Sequence, residues 1–182
     1  MNNSGLESQR PSERTARFVL GIITWIKDIF KAPVTYIPRG QVVQHQGKYL
    51  AAGKAVRYPH ILLVEDNPHT VEEFIGAIKN YYACGSVKIL IAYAYDAAVT
   101  FFHKENPDLV IMDADLDDEE GDGATLTRKF LGERPEIIIL ANSSSKISNL
   151  RLTGCGAVET LGKSTEKLKS WLMVNDPAGG ES

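Results

Sequence analysis

From residue 61 onward the chain alternates short apolar runs with longer stretches in which apolar residues recur every three or four positions. The short runs are Ile61–Val64, Val87–Ile91, Asp108–Met112, Ile137–Leu140 and Ala157–Leu161. Continuous apolar runs of this length predict strands buried on both faces, as parallel strands are. Between them, Val71, Phe74, Ile75 and Ile78 give one apolar helix face. That helix starts at Asn67-Pro68, because Asn caps and Pro suits the first turn. A second helix carries Ala94, Ala98, Phe101 and Phe102 and is broken by Asn106-Pro107. Asp122-Gly123 opens a third, with Leu126 and Phe130 facing inward. A short fourth helix is expected around Lys146–Thr153, and a fifth carries Leu168, Trp171 and Leu172. Five strand–helix units predict an α/β fold: a doubly wound, five-stranded parallel sheet with right-handed crossovers, in the flavodoxin-like order 2-1-3-4-5.

The first 59 residues read differently. Residues 1–12 are polar and have the composition of a disordered tip. Phe18, Val19, Ile22, Ile23, Ile26, Ile29 and Phe30 fall at helical spacing, with Arg14, Arg17, Lys27 and Lys31 around them. They predict an amphipathic helix over about 13–31, stopped by Pro33 and Pro38. Residues 34–58 predict a small hairpin turning near Gln46-Gly47. At the other end, 175–182 is polar and reads as a flexible tail.

Charge divides the chain at the same place. Residues 1–60 hold nine basic and three acidic groups, net +6, and residues 61–182 hold eleven and twenty, net −9. The basic residues of the leader are dispersed, which gives no strong sign of nucleic-acid binding. The leader helix is expected to pack on the body or pair with a second copy; its basic rim leaves an anionic membrane surface as a third option. Cys84 and Cys155 stand alone, without metal-ligand spacing. Two isolated thiols suit a reducing compartment. No apolar run approaches the ~18 residues of a spanning helix. The expected location is cytoplasmic.

The candidate chemistry lies at the strand ends. The first strand runs into Glu65-Asp66, the third into Asp113, and the fifth leads to Lys163. In one parallel sheet of the predicted order the first, third and fifth strands point the same way, so their C-terminal tips share an edge, where open α/β sheets build sites. Three carboxylates and an ammonium then converge. Acids so crowded repel one another, which raises some of their pKa values. The set suits a hard divalent cation and a phosphoryl group: Mg²⁺ prefers a few carboxylates plus water and phosphate oxygens, and Lys offers a compact positive charge. A nucleotide or flavin site is disfavoured, because Glu65-Asp66-Asn67-Pro68 is acidic and lacks a glycine-rich, amide-presenting turn.

In order and spacing, Ile61–Asn67, Pro107–Asp113, Asp122-Gly123, Gly156-Ala157 and Lys163 resemble the receiver domain of two-component response regulators over residues 60–174. The resemblance implies that Asp113 accepts a phosphoryl group from the phosphohistidine of a kinase or phosphotransfer protein. It implies that Glu65, Asp66 and Asp113, with the backbone carbonyl of Asp115, hold Mg²⁺, and that Lys163 contacts Asp113 and then the phosphoryl oxygens. Such a protein is a phosphoacceptor rather than a turnover enzyme. With 19 residues after Lys163, the reading is a stand-alone receiver that signals by contact with a downstream protein. Several positions depart from the family's pattern. The hydroxyl residue usual at the end of the fourth strand is replaced by Ala141, with Ser143 as the nearest substitute if the loop is shorter. The usual aromatic residue of the fifth strand is Thr160. Lys163 is followed by Ser164 rather than Pro. These departures keep an alternative open: a phosphorylation-independent interaction module on the same scaffold.

Overall fold

The computed structural model describes residues 39–46, 56–116 and 119–177. The described residues belong to one compact unit. The leader helix expected at 13–31 lies outside them, as does Gly47 of the expected turn. Among the described residues no helix is long and apolar enough to cross a membrane.

The elements follow in the order β1 (Gly40–Gln46), β2 (His60–Val64), α1 (Pro68–Tyr81), β3 (Ser86–Ala92), α2 (Tyr95–Glu105), β4 (Leu109–Met112), α3 (Gly123–Glu133), β5 (Ile138–Ala141), α4 (Lys146–Gly154), β6 (Glu159–Thr160) and α5 (Thr165–Asn175). The sheet order is β1-β3-β2-β4-β5-β6. Strands β2 to β6 are parallel and reproduce the predicted 2-1-3-4-5 order. The last strand is only two residues long, shorter than the apolar run 157–161 suggests.

Strand β1 extends this sheet. It pairs antiparallel with β3, from Gly40 opposite Ala92 to Gln46 opposite Ser86. The segment expected to form one arm of a hairpin is therefore a sixth strand on the sheet's edge. Val43 packs on the core, Val42 is exposed, and His45 Nε2 lies 2.9 Å from the Tyr82 carbonyl.

Side-chain alternation divides the core into two layers. Leu62, Val64, Leu90, Val110, Met112 and Ile139 face α2, α3 and α4. Ile61, Leu63, Ile89, Ile91, Ile111 and Leu140 face α1 and α5. Both faces of the central strands are thus covered, which explains why Ile61–Val64 and Leu109–Met112 are apolar at every position. Four of the five described helices are capped by side chains at their N-termini, from Asn67, Asp122, Ser145 and Ser164.

The expected tail begins inside the fold. Asn175 completes α5 and Asp176 is 1% exposed. Asp176 Oδ2 accepts from the Tyr82 hydroxyl at 2.9 Å, the Arg57 amide at 3.0 Å and the Tyr58 amide at 3.4 Å. The Tyr81 hydroxyl donates to the Asp176 carbonyl at 2.6 Å. One carboxylate therefore joins the end of α5, the end of α1 and the segment entering β2. Replacing it with Ala strands several buried donors at once, at about 1–3 kcal/mol for an unsatisfied group. We expect Asp176→Ala to lose at least ~2 kcal/mol in urea unfolding; an unchanged midpoint would remove Asp176 as an anchor.

Candidate functional site

The register of the parallel strands brings the predicted residues together. Val64 pairs with Met112, Met112 with Ala141, and Ala141 with Thr160. The ladder continues one residue past the strands: the Asp113 amide donates to the Val64 carbonyl at 2.9 Å, and the Asn142 amide to the Met112 carbonyl at 2.8 Å. Glu65, Asp113 and Asn142 consequently follow the ends of three adjacent strands at one edge.

Glu65 and Asp113 are 0% and 2% exposed. Lys163 Nζ donates to Glu65 Oε1 and to Asp113 Oδ2, each at 2.8 Å. Asp113 Oδ1 accepts from the Ala114 amide at 2.7 Å and the Asp115 amide at 3.4 Å. The Asp113 carboxylate is thus held from both sides. Glu65, Asp66 and Asp113 each offer a carboxylate oxygen, and these atoms lie within 4.8 Å of one another. Glu65 Oε2 is buried and has no partner among the described residues. An orphaned buried carboxylate oxygen beside two further carboxylates is the donor set a hard divalent cation requires. The residues therefore fit the metal that the acidic pattern implies.

Asp113 sits at a crowded point. A Cβ added to Gly123, the first residue of α3, would lie 1.8 Å from the Asp113 carbonyl oxygen. Only glycine allows α3 to start this close. Asp122, one residue earlier, caps α3 and pairs with Arg151 of α4.

Asp115 and Ser143 lie beside this centre. The Ser143 hydroxyl donates to Asp115 Oδ2 at 3.3 Å, while the Ser145 amide donates to Ser143 Oγ at 3.1 Å. Asn149 of α4 holds Ser143 by both its backbone groups. Ala141 ends β5 in register with Thr160, so the two positions that depart from the family's hydroxyl and aromatic residues are neighbours in the sheet.

Two residues have roles that the sequence pattern did not assign. Ser164 stands where Pro is usual, and here its side chain caps α5. Asn142 is buried at the tip of β5, and its Oδ1 accepts from the Lys163 amide at 3.0 Å. A polar amide closing an apolar strand was the available signal. Lys163 itself has φ of 56°, in the left-handed region, which costs a non-glycine residue roughly 1–2 kcal/mol.

Over residues 61–172 the sequence matches the family model of the response regulator receiver domain. The chain belongs to that family. The receiver fold recurs in solved structures. The signal receiver domain of a DNA-binding response regulator from Colwellia psychrerythraea 34H is 20% identical, with TM-score 0.54, covering 64% of this chain and 96% of that one. The receiver domain of NtrX from Brucella abortus is also 20% identical, with TM-score 0.55, covering 67% and 99%. A response regulator structure from Chloroflexus aurantiacus J-10-fl is 19% identical, with TM-score 0.55, covering 63% and 94%. At such identities the likeness establishes the fold. No curated protein matches the sequence closely enough to count as a relative.

In this receiver, burial pushes the Glu65 carboxyl up to about 7; the Lys163 hydrogen bond opposes the rise and the Asp113 charge adds to it. For Lys163, burial alone would lower the pKa, but its bonds to Asp113 and Glu65 carry it above the ordinary lysine value. A raised carboxyl pKa means the folded state binds its proton more tightly than the unfolded chain. Protonation then favours the native state, fully below about 4.5, and that advantage is lost as pH rises to about 7. Glu65→Gln lacks this titration. In metal-free protein, wild type should lose on the order of 3 kcal/mol relative to Glu65→Gln between pH 4.5 and 7.5. Parallel stability curves for the two proteins would show that Glu65 titrates normally.

Proposed function

We propose that this receiver takes a phosphoryl group onto Asp113 from the phosphohistidine of a histidine kinase or phosphotransfer protein, and signals the change by contact with a downstream protein. The observation that supports it most is the Lys163 ammonium bridging Glu65 and Asp113 beside a third carboxylate. In the transfer, an Asp113 carboxylate oxygen forms the new P–O bond as the P–N bond to the donor imidazole breaks. The electron pair stays on the imidazole nitrogen, which then takes a proton. The role is that of an acceptor, used once per signal, rather than of a turnover catalyst.

The chain's own residues prepare each part of this step. Lys163 on Oδ2 and two amides on Oδ1 fix the direction of the Asp113 carboxylate. Lys163 also supplies charge for the incoming phosphoryl oxygens, whose approach to a carboxylate is otherwise repulsive. Mg²⁺, when bound, offsets further negative charge; Glu65, Asp66, Asp113 and the Asp115 backbone carbonyl are the residues that would hold it.

A second reading is favoured by Ala141 and Thr160, which leave that pair of positions without the hydroxyl and the aromatic ring usual in receivers. On that reading the receiver binds partners without phosphorylation. A groove of about 520 Å³ beside Thr160, lined also by Trp171 and Val174, would offer it a surface.

Acetyl phosphate with Mg²⁺ separates the two. The first reading expects labelling of wild type and its loss in Asp113→Asn; an equally labelled Asp113→Asn moves the site elsewhere. It also expects the phosphoryl mimic beryllofluoride to shift the amide resonances of Asp113, Asn142 and Lys163. A silent spectrum leaves the second reading standing.

A further inference from the structure

Lys163 holds an awkward backbone position. Gly162 and Lys163 have φ of 65° and 56°, and the Ser164 amide donates to the Leu161 carbonyl at 3.3 Å. These are the marks of a type I′ turn, with both central residues left-handed. Glycine meets that demand freely at the first position. Lysine at the second does not. The turn nevertheless has to place Lys163 there, because its side chain must run back over the strand tips to Glu65 and Asp113.

Asn142 bears directly on this turn. It lies 21 residues earlier, at the tip of the neighbouring strand, and is 0% exposed. Its Oδ1 accepts from the Lys163 amide at 3.0 Å. Only an oxygen can accept that proton, so the chemistry fixes which way the side-chain amide points. The opposite end, Nδ2, is then buried with no partner among the described residues. Leaving a buried donor unsatisfied costs stability. The protein bears that cost while keeping a side-chain bond that, beside the Leu161 amide donating to the Ala141 carbonyl at 2.7 Å, ties the β5 tip to the turn carrying the lysine. Strain of this kind persists only where surrounding contacts over-determine it, and it gathers at functional sites.

We propose that Asn142 is the positioning residue for Lys163: its side-chain oxygen holds the left-handed turn in place and thereby sets the reach of the ammonium between Glu65 and Asp113. In this receiver the Asn142 side chain, at the tip of the adjacent β5, does the work of fixing the bend after β6, where Ser164 replaces the usual Pro. The role in phosphoryl uptake rests on the acceptor reading of Asp113; the role in holding the turn does not.

The test uses the full chain, with hydrogen exchange read by NMR and phosphoryl uptake read with acetyl phosphate. In metal-free wild type the Lys163 amide exchanges slowly. In Asn142→Ala it exchanges about tenfold faster, and in Asn142→Asp, which keeps the acceptor oxygen, it stays protected. Asn142→Ala also slows phosphoryl uptake about tenfold, yet adds nothing in a Lys163→Gly background, where the turn is relaxed and the ammonium gone. A purely structural side chain would slow uptake equally in both backgrounds. A fast-exchanging Lys163 amide in wild type, unchanged exchange in Asn142→Ala, or equal slowing in both backgrounds overturns the assignment. If wild type takes up no phosphoryl group, the acceptor reading fails while the exchange results still decide the role of Asn142 in the turn.

Discussion

A half-buried lysine whose ammonium bridges two buried carboxylates governs the architecture of this site. Glu65 and Asp113 are withdrawn from water at the ends of neighbouring strands, where unpaired charges of the same sign would be very costly. Lys163 offsets that cost through one atom that reaches both. The rest of the sheet edge serves this contact. Parallel register levels the strand tips, Gly123 lets α3 begin against the Asp113 backbone, and a left-handed turn brings the lysine around. The site is satisfied at rest, but not fully: Glu65 Oε2 and Asn142 Nδ2 are left without partners among the described residues. A centre balanced in this way responds to added charge, because the same lysine cannot serve two carboxylates and an incoming anion equally well.

Much of this was legible in the sequence because it is encoded locally. Runs such as Ile61–Val64 and Leu109–Met112 are apolar throughout since helices cover both faces, so their length and composition identify them. Asn67-Pro68 and Asp122-Gly123 mark helix starts through cap chemistry within three residues. The acids after β2 and β4, and Lys163 after β6, follow from the fold's strand order, which turns three distant segments into one edge.

What was not legible depends on partners far along the chain. Gly40–Gln46 contains only two strongly apolar residues, and no local feature names β3 as its partner. Asp176 looks like part of a polar tail because its meaning comes from Arg57, Tyr58 and Tyr82, about a hundred residues away. The Asn142 side-chain oxygen acts on the backbone amide of Lys163 rather than on a side chain, and a backbone conformation at residue 163 leaves no trace in the identity of residue 142. Ser164 looked like a missing proline and is a helix cap.

Strand β1 changes what the sheet can offer to other molecules. The outer side of β3 would otherwise be a row of unpaired amides and carbonyls, a template for strand addition by a neighbouring chain. With seven residues of β1 paired along it, the border of β3 is covered from within the same polypeptide, and β1 becomes the outermost described strand. Recognition on this flank must therefore read β1, through its backbone or through side chains such as the exposed Val42, rather than the backbone of β3.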